Sequence, residues 1–302
     1  MNKPPINVIS LFDGISCGQL ALETAGVNVG KYLASEIEKD PIEVTQRRFP
    51  NTLQLGNVKD VVTENLPFAD LCIGGSPCQS FSRSGDNSGF DGKSGLFFEY
   101  VRILKDLKEV NPNIQFLLEN VVMKKEWQNI ISEHIGLEPV LMDAKYFSAQ
   151  KRQRLIWTNI PIDPYVDKDI SIKDVMDMDN TDFANVDSDF MWFEDGEYRV
   201  RNATKKGYLT VSNYDVVNLD FPTSKTRRGR VSHQKSNTLN TGCNQGIFID
   251  GKIIKLNALE CERLQTIEDN HTMGFTEAKR KKMIGNAWPV AMMAHIFKNI
   301  HH

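Results

Sequence analysis

Short apolar runs, each closed by a turn of Gly, Pro, Asn or Asp, alternate with stretches of helical spacing through the first half of the chain. That alternation predicts a parallel sheet with helices on both faces. Strands are expected at 8–12, 31–36, 70–75 and 114–120, with a helix from Leu20 to Ala25. In an open sheet of this kind ligands bind beyond the carboxyl ends of the strands. The chemically capable residues gather at those ends: Asp13 and Gly14 after the first, Glu36 closing the second, Pro77 and Cys78 after the third, Glu119 and Asn120 closing the fourth.

Beyond about Pro161 the pattern changes to short strand-like pieces, such as 197–200 and 208–211, separated by polar loops. A smaller, separate lobe is expected there. Helical spacing returns at 257–264, where Asn257 and Glu260 stand in the register of a capping box. Residues 283–300 read as a glycine turn leading into an apolar helix that packs back on the first lobe. The expected organisation is α/β: a doubly wound, mostly parallel sheet in 1–162, a second lobe in 163–240, and a return segment in 241–302 that completes the first.

Composition narrows the class. A chain of 302 residues, 40% hydrophobic and 25% charged, is ordinary for a globular protein with a sizeable core. No apolar run approaches the roughly 20 residues that span a bilayer, so no membrane partner and a cytoplasmic location are expected. Five cysteines, Cys17, Cys72, Cys78, Cys243 and Cys261, show no C-x-x-C spacing, which argues against disulfides and a structural metal. His301 and His302 read as a tag remnant and carry no weight. The net charge of -3 conceals an uneven distribution. Acids crowd 163–197, whereas 224–230 carries Lys225, Arg227, Arg228 and Arg230 with no acid. A polyanion docking there and a solvated loop are both consistent with such a run.

The loop from Phe12 through Asp13, Gly14, Ile15, Ser16 and Cys17 to Gly18 joins a strand to a helix, with Glu36 at the end of the next strand. Glycines let a ligand approach the backbone, and an acid at the second strand accepts ribose hydroxyls. The dinucleotide pattern G-x-G-x-x-G is absent, and a plain structural turn is the alternative. Cys78 follows a buried strand in a turn beside Pro77, a place that exposes a thiol and favours its thiolate. The other four cysteines read as buried and structural. Glu119 supplies a carboxyl group on a neighbouring strand, and the segment 150–154 offers Arg152 and Arg154 on one face.

These segments, taken in order along nearly the whole chain, resemble the DNA cytosine-5 methyltransferase family: 12–18, 56–60, 74–80, 95–97, 119–121, 150–154 and 285–290. Several runs look closest to the animal de novo branch, while the lack of a chromatin-reading extension points to a bacterial or phage relative, as in restriction-modification. The resemblance implies a Rossmann-like, class I methyltransferase fold with a separate target recognition domain. It implies S-adenosyl-L-methionine as methyl donor, S-adenosyl-L-homocysteine as product, no metal, and double-stranded DNA as partner. The cofactor would be held by residues 12 to 18, Glu36, Ile37, Asn57, Val58, Pro77, Leu96, Asn286, Ala287 and Trp288. Asn57 stands where the family more often has Asp.

The resemblance further implies that Cys78 attacks cytosine C6, that Glu119 binds the N3 and N4 edge with Asn120 fixing its carboxyl group, and that Arg154, with Arg152 nearby, holds O2 or a phosphate. Gln79, Ser80, Arg83, Lys225, Arg227, Arg228 and Arg230 would contact DNA, and the loop after Cys78 would close over a flipped base. Two rivals remain. A transfer-RNA cytosine-5 methyltransferase would carry a Cys-Phe-Thr tripeptide, which is absent. An inactive homologue would have lost the thiol, acid or arginine. A monomer or weak homodimer is expected, since 96–100 resembles a subunit-contact segment but also suits a helix face packed in its own core.

Overall fold

A computed structural model describes residues 4–77 and 93–301. The chain forms two compact units: Met1–Asp143, Gln153–Pro164 and Trp288–His302 make the first, Ala144–Arg152 and Tyr165–Ala287 the second.

In the first unit the elements run β1 (Ile6–Leu11), α1 (Cys17–Thr24), β2 (Val29–Ser35), α2 (Lys39–Arg48), β3 (Leu53–Gln54), β4 (Leu71–Gly75), α3 (Phe97–Val110), β5 (Gln115–Val121), α4 (Lys125–Ile135), β6 (Val140–Asp143) and β7 (Gln153–Thr158). They form one seven-stranded sheet of order β3-β2-β1-β4-β5-β7-β6. The strands from β3 to β5 are parallel, while β7 runs antiparallel to both β5 and β6. Largely buried on both faces, β1 and β4 are mostly apolar, with Asn7 and Ser10 the polar residues of β1. Helix α3 repeats apolar residues at helical spacing, so Phe97, Tyr100, Ile103, Leu104 and Leu107 line the face it presses on the sheet. The segment 96–100 thus contributes Phe97 and Tyr100 to the unit's own core, with Phe98 outside it. Strand order reverses between β1 and β4, and a crevice at the carboxyl ends of such strands is where open sheets take their ligands.

The second unit holds two antiparallel sheets. One is β8 (Met191–Glu194), β9 (Glu197–Arg201) and β10 (Tyr208–Val211) in the order β10-β9-β8. The other comprises β11 (Val216–Asn218), β12 (Val231–Ser232), β13 (Gln245–Ile249) and β14 (Lys252–Lys255) in the order β12-β11-β13-β14. Helix α5 (Ala258–Leu264) begins at the Asn257–Glu260 capping box, with both reciprocal hydrogen bonds present. Helix α6 is Glu277–Asn286. Residues 241–287 therefore lie in the second unit rather than in a return to the first. The reason is that β13 pairs with β11, and Cys261 and Leu264 of α5 are buried in the second unit's core. Gly285 is not a turn residue: it lies inside α6, where a Cβ would collide with the Asn240 carbonyl. The last helix, α7 (Val290–Phe297), belongs to the first unit and packs on α1. No helix among the described residues is long and apolar enough to cross a membrane.

Candidate active site

The loop after β1 carries three left-handed positions, Phe12, Gly14 and Ser16, with φ of 60°, 59° and 60°. Glycine adopts this freely, but Phe12 and Ser16 do so at a cost that surrounding contacts must offset, a pattern common where a ligand is held. Gly14 N donates to Glu36 Oε2 at 2.9 Å, and Glu36 Oε1 accepts from the amides of Ile37 and Glu38. Both carboxylate oxygens are thus fixed by backbone while Glu36 stays partly exposed, and beside it Ile37 offers an apolar side chain that is 68% exposed. Asn57 spends its carbonyl on Lys59 N, capping the short turn that follows. The side chains of Ile15, Cys17 and Val58 are buried in the protein, so only their backbone is available to a ligand. Leu96 and Pro77 are half-buried, and Asn286 is exposed at the end of α6.

Asp13 is strongly perturbed. Burial lifts its carboxyl from 3.8 to about 6, although the Ser10, Tyr32 and Ser16 hydroxyls act the other way. Gly18 has a reason to be glycine within the protein itself. A Cβ there would meet Tyr32 Oη and Ile73 Cδ1, each at 2.7 Å, so the missing side chain makes room for the protein's own groups.

At the end of β5, Glu119 Oε1 pairs with Arg154 Nε at 2.6 Å, and Glu119 Oε2 accepts from the Trp288 indole at 3.1 Å. Both ion-pair side chains are about nine-tenths buried. Gly75, opposite Glu119 in the sheet, has no room for a Cβ, which would stand 2.9 Å from Trp288 Nε1 and 3.0 Å from Glu119 Oε2. Trp288, expected at the cofactor, is thereby engaged with the carboxylate. Arg154 holds Glu119 and also donates to the Gln153 carbonyl. Asn120, expected to fix the Glu119 carboxyl group, is engaged elsewhere. Its Nδ2 donates to Ser76 Oγ at 3.1 Å and its Oδ1 accepts from Val121 N, tying β5 to the turn that follows β4.

Three further expectations change. Arg152 and Arg154 do not act together, because Arg152 is buried and donates to the carbonyls of Leu239, Gly285 and Ala287. It clamps the start of the 240 loop to the end of α6 instead of reaching a substrate. Arg230 is fully buried, donating to the carbonyls of Asn218, Asp220, Phe221 and Ser224 with its guanidinium 5.0 Å over the Phe190 ring. It is withdrawn from the DNA contacts. Arg227 is half-buried against Asn218 and Asp220, which leaves Lys225 and Arg228 exposed on the run. Cys78, Gln79, Ser80 and Arg83 lie outside the described residues.

The remaining cysteines are buried, and burial pushes the Cys72 thiol up to about 12, unsuited to nucleophilic work. Among the described residues no group of three or more His, Cys, Asp or Glu could hold a metal. The Trp288 link and the Tyr32 contact had no sequence signal beyond a polar tip on an aromatic ring.

The sheet order and the placement of these groups are those of a class I, Rossmann-like methyltransferase. The methyltransferase EhMeth of Entamoeba histolytica superimposes with a TM-score of 0.69 at 15% identity, over 99% of this chain and 98% of that one. The profile of the C-5 cytosine-specific DNA methylase family matches residues 6–302, and the chain belongs to that family. It is similar to the type II methyltransferase M.FnuDI of Fusobacterium nucleatum, at 27% identity over 98% of this chain and 94% of that protein. The orphan methyltransferase M.SPRI of Bacillus phage SPR is 36% identical over half of this chain, a match that spans 36% of the phage protein's length. The family's members are S-adenosyl-L-methionine-dependent cytosine methyltransferases.

Proposed function

We propose that this chain is a DNA (cytosine-5-)-methyltransferase that transfers a methyl group from S-adenosyl-L-methionine to C5 of a flipped-out cytosine in duplex DNA. The observation that carries the reading is the buried Glu119 carboxylate, held by Arg154 and Trp288 beside Gly75. It stands on the strand next to the one that leads to Cys78.

Cytosine C5 is a poor nucleophile until the ring is made electron-rich. The Cys78 thiolate adds to C6, the sulfur–carbon bond forms, and the C5–C6 π electrons move towards C5 and N3. Glu119 hydrogen-bonds the N3 and N4 edge and supports a proton at N3 as charge builds. Arg154 and Trp288 keep Glu119 in one orientation, and Asn120 holds Ser76, two positions before Cys78 in the sequence. When bound, the cofactor supplies an electrophilic sulfonium methyl group, which C5 takes. Loss of the C5 proton to a base then re-forms the double bond and expels Cys78. A stacked base presents only its edges, so the target must leave the helix.

The residues present fit the cofactor on one observation: Asp13 Oδ2 is buried and has no hydrogen-bond partner among the described residues, an acceptor suited to a cationic donor. Glu36 suits the ribose hydroxyls and Ile37 the adenine face. The second unit is assigned as the recognition lobe, with Gln79, Ser80, Arg83, Lys225 and Arg228 as DNA contacts.

A duplex carrying 5-fluorocytosine tests the chemistry, because fluorine cannot leave as the C5 proton does. We expect a gel-stable adduct with wild type and none with Cys78→Ala, which loses turnover by on the order of 10⁴-fold while cofactor affinity stays within a few-fold. Methylation of plain duplex without an adduct refutes thiolate addition. Methylation of transfer RNA but not of duplex moves the substrate class.

A further inference from the structure

Several elements converge on one carboxylate. Ser10 Oγ donates to Asp13 Oδ1 at 2.6 Å, and Tyr32 Oη donates to the same oxygen at 2.8 Å. Both donors fall on Oδ1, so Oδ2 is left buried with no partner among the described residues. An acceptor in that condition is costly, and a native site rarely keeps one without use. Tyr32 is itself buried, 4% exposed, and its hydroxyl occupies the space that a Cβ on Gly18 would need. Gly18, in the first turn of α1, is therefore a condition for the Tyr32–Asp13 contact.

We propose that Tyr32 and Ser10 are positioning residues that turn the Asp13 carboxylate so that Oδ2 faces the α-ammonium group of the cofactor, and that Gly18 is glycine in order to admit the Tyr32 hydroxyl. This rests on the reading of loop 12–18 as the cofactor site. An ammonium group brings three N–H donors and a charge, which satisfies the open oxygen with a charge-assisted hydrogen bond. The groups facing Asp13 are Ser10 on β1, Ser16 in the loop, Tyr32 on β2 and Glu36 at its end, and none of them is a cation. Among the described residues the carboxyl group, lifted to about 6 by burial, faces no cation, and the ligand's ammonium group supplies the countercharge. Affinity for an amino-bearing ligand falls as pH drops below about 6, where Asp13 takes up a proton.

Calorimetric titration with S-adenosyl-L-homocysteine and with its desamino analogue, S-adenosyl-4-thiobutyrate, tests this without turnover. Tyr32→Phe and Ser10→Ala should each weaken homocysteine-adduct binding by roughly three- to tenfold, and Asp13→Asn by about 10- to 100-fold. The desamino analogue should change less than about twofold in every variant, and its affinity should be flat between pH 5 and 8 (chosen to bracket about 6). Gly18→Ala should reproduce the selective loss by displacing Tyr32. If Tyr32→Phe fails to give a native melting curve, Ser10→Ala carries the test, since it removes the other donor to the same oxygen. Equal losses for the two ligands, or no loss for either, overturn the proposal. A wild-type protein that binds neither ligand overturns the cofactor-site reading beneath it.

Discussion

Asp13 in the first unit and Arg230 in the second are both charged residues drawn into the protein from a loop, yet their surroundings treat them in opposite ways. Arg230 is met by four backbone carbonyls and an aromatic ring, which engage both terminal nitrogens of its guanidinium and leave only Nε without a partner among the described residues. Asp13 receives two donors on a single oxygen and keeps the other unmet. The first arrangement stabilises a fold and the second lowers stability in exchange for an available acceptor. Neither burial of a charge nor one unmet valence marks a ligand site by itself; at Asp13 the unmet oxygen belongs to a carboxyl group on a loop with left-handed Phe12 and Ser16, at the carboxyl end of β1.

The comparison can be broken most easily at Glu119, whose carboxylate is also buried but is held by partners on both oxygens. Glu119→Ala should lower methyl transfer by about 10² to 10⁴-fold at saturating cofactor, with homocysteine-adduct affinity nearly unchanged, in a single-turnover assay. Turnover near wild type would remove Glu119 from the chemistry.

Next in size, Arg230→Ala should destabilise the second unit by about 2 to 4 kcal/mol, because four carbonyls lose their donor and the packing against Phe190 is lost. Thermal melting should fall by several degrees, and Lys at this position should not rescue it, since one ammonium cannot replace the planar fork. An unchanged melt with weakened DNA binding would return Arg230 to the contact surface.

Asp13→Asn should shift stability the other way. An acid whose pKa is raised on folding favours the native state most when protonated, so its contribution is full below 3.8 and is lost as pH rises through about 6. At pH 8 the ionised Asp13 costs the unliganded protein on the order of 3 kcal/mol. The Asn variant should accordingly melt higher than wild type near pH 8, with the gap closing towards pH 4 (both relative to about 6). A variant that melts lower at both ends would contradict the assigned strain.

The smallest effect concerns the two basic side chains that remain exposed. Replacing Lys225 and Arg228 together by Ala should weaken binding to all duplexes alike and reduce the salt slope by about two units, leaving melting and cofactor affinity untouched. Loss of preference for one site over others would instead assign one of them to a base edge.

The strands of the first unit were legible because a central parallel strand must be apolar on both faces, and 70–75 and 114–120 fall within a residue of β4 and β5. The capping box at Asn257 was legible because both of its partners lie within one turn. The Trp288–Glu119 contact joins residues 169 positions apart, and no local pattern encodes it. Arg152 and Arg154 alternate like neighbours on a strand, but β7 begins only at Gln153, so the two side chains serve different units. The basic run misled for a physical reason: a guanidinium folded back on carbonyls and one facing solvent leave the same letters in the sequence. Gly18 is ambiguous in the same way, since a glycine that admits a ligand and one that admits a neighbouring hydroxyl look alike until the hydroxyl is placed.

The discontinuous first unit also sets an order of events during synthesis. Its sheet is built from strands complete by Thr158, whereas α7 and the indole that contacts Glu119 arrive only with residues 288–297. At roughly 5 to 20 residues per second, Glu119 waits on the order of ten to thirty seconds on the ribosome for Trp288. Over that interval the whole second unit emerges between the two. A nascent chain halted before Trp288 would carry the sheet without the finished carboxylate, which makes the last helix a timer on when the site can first become competent.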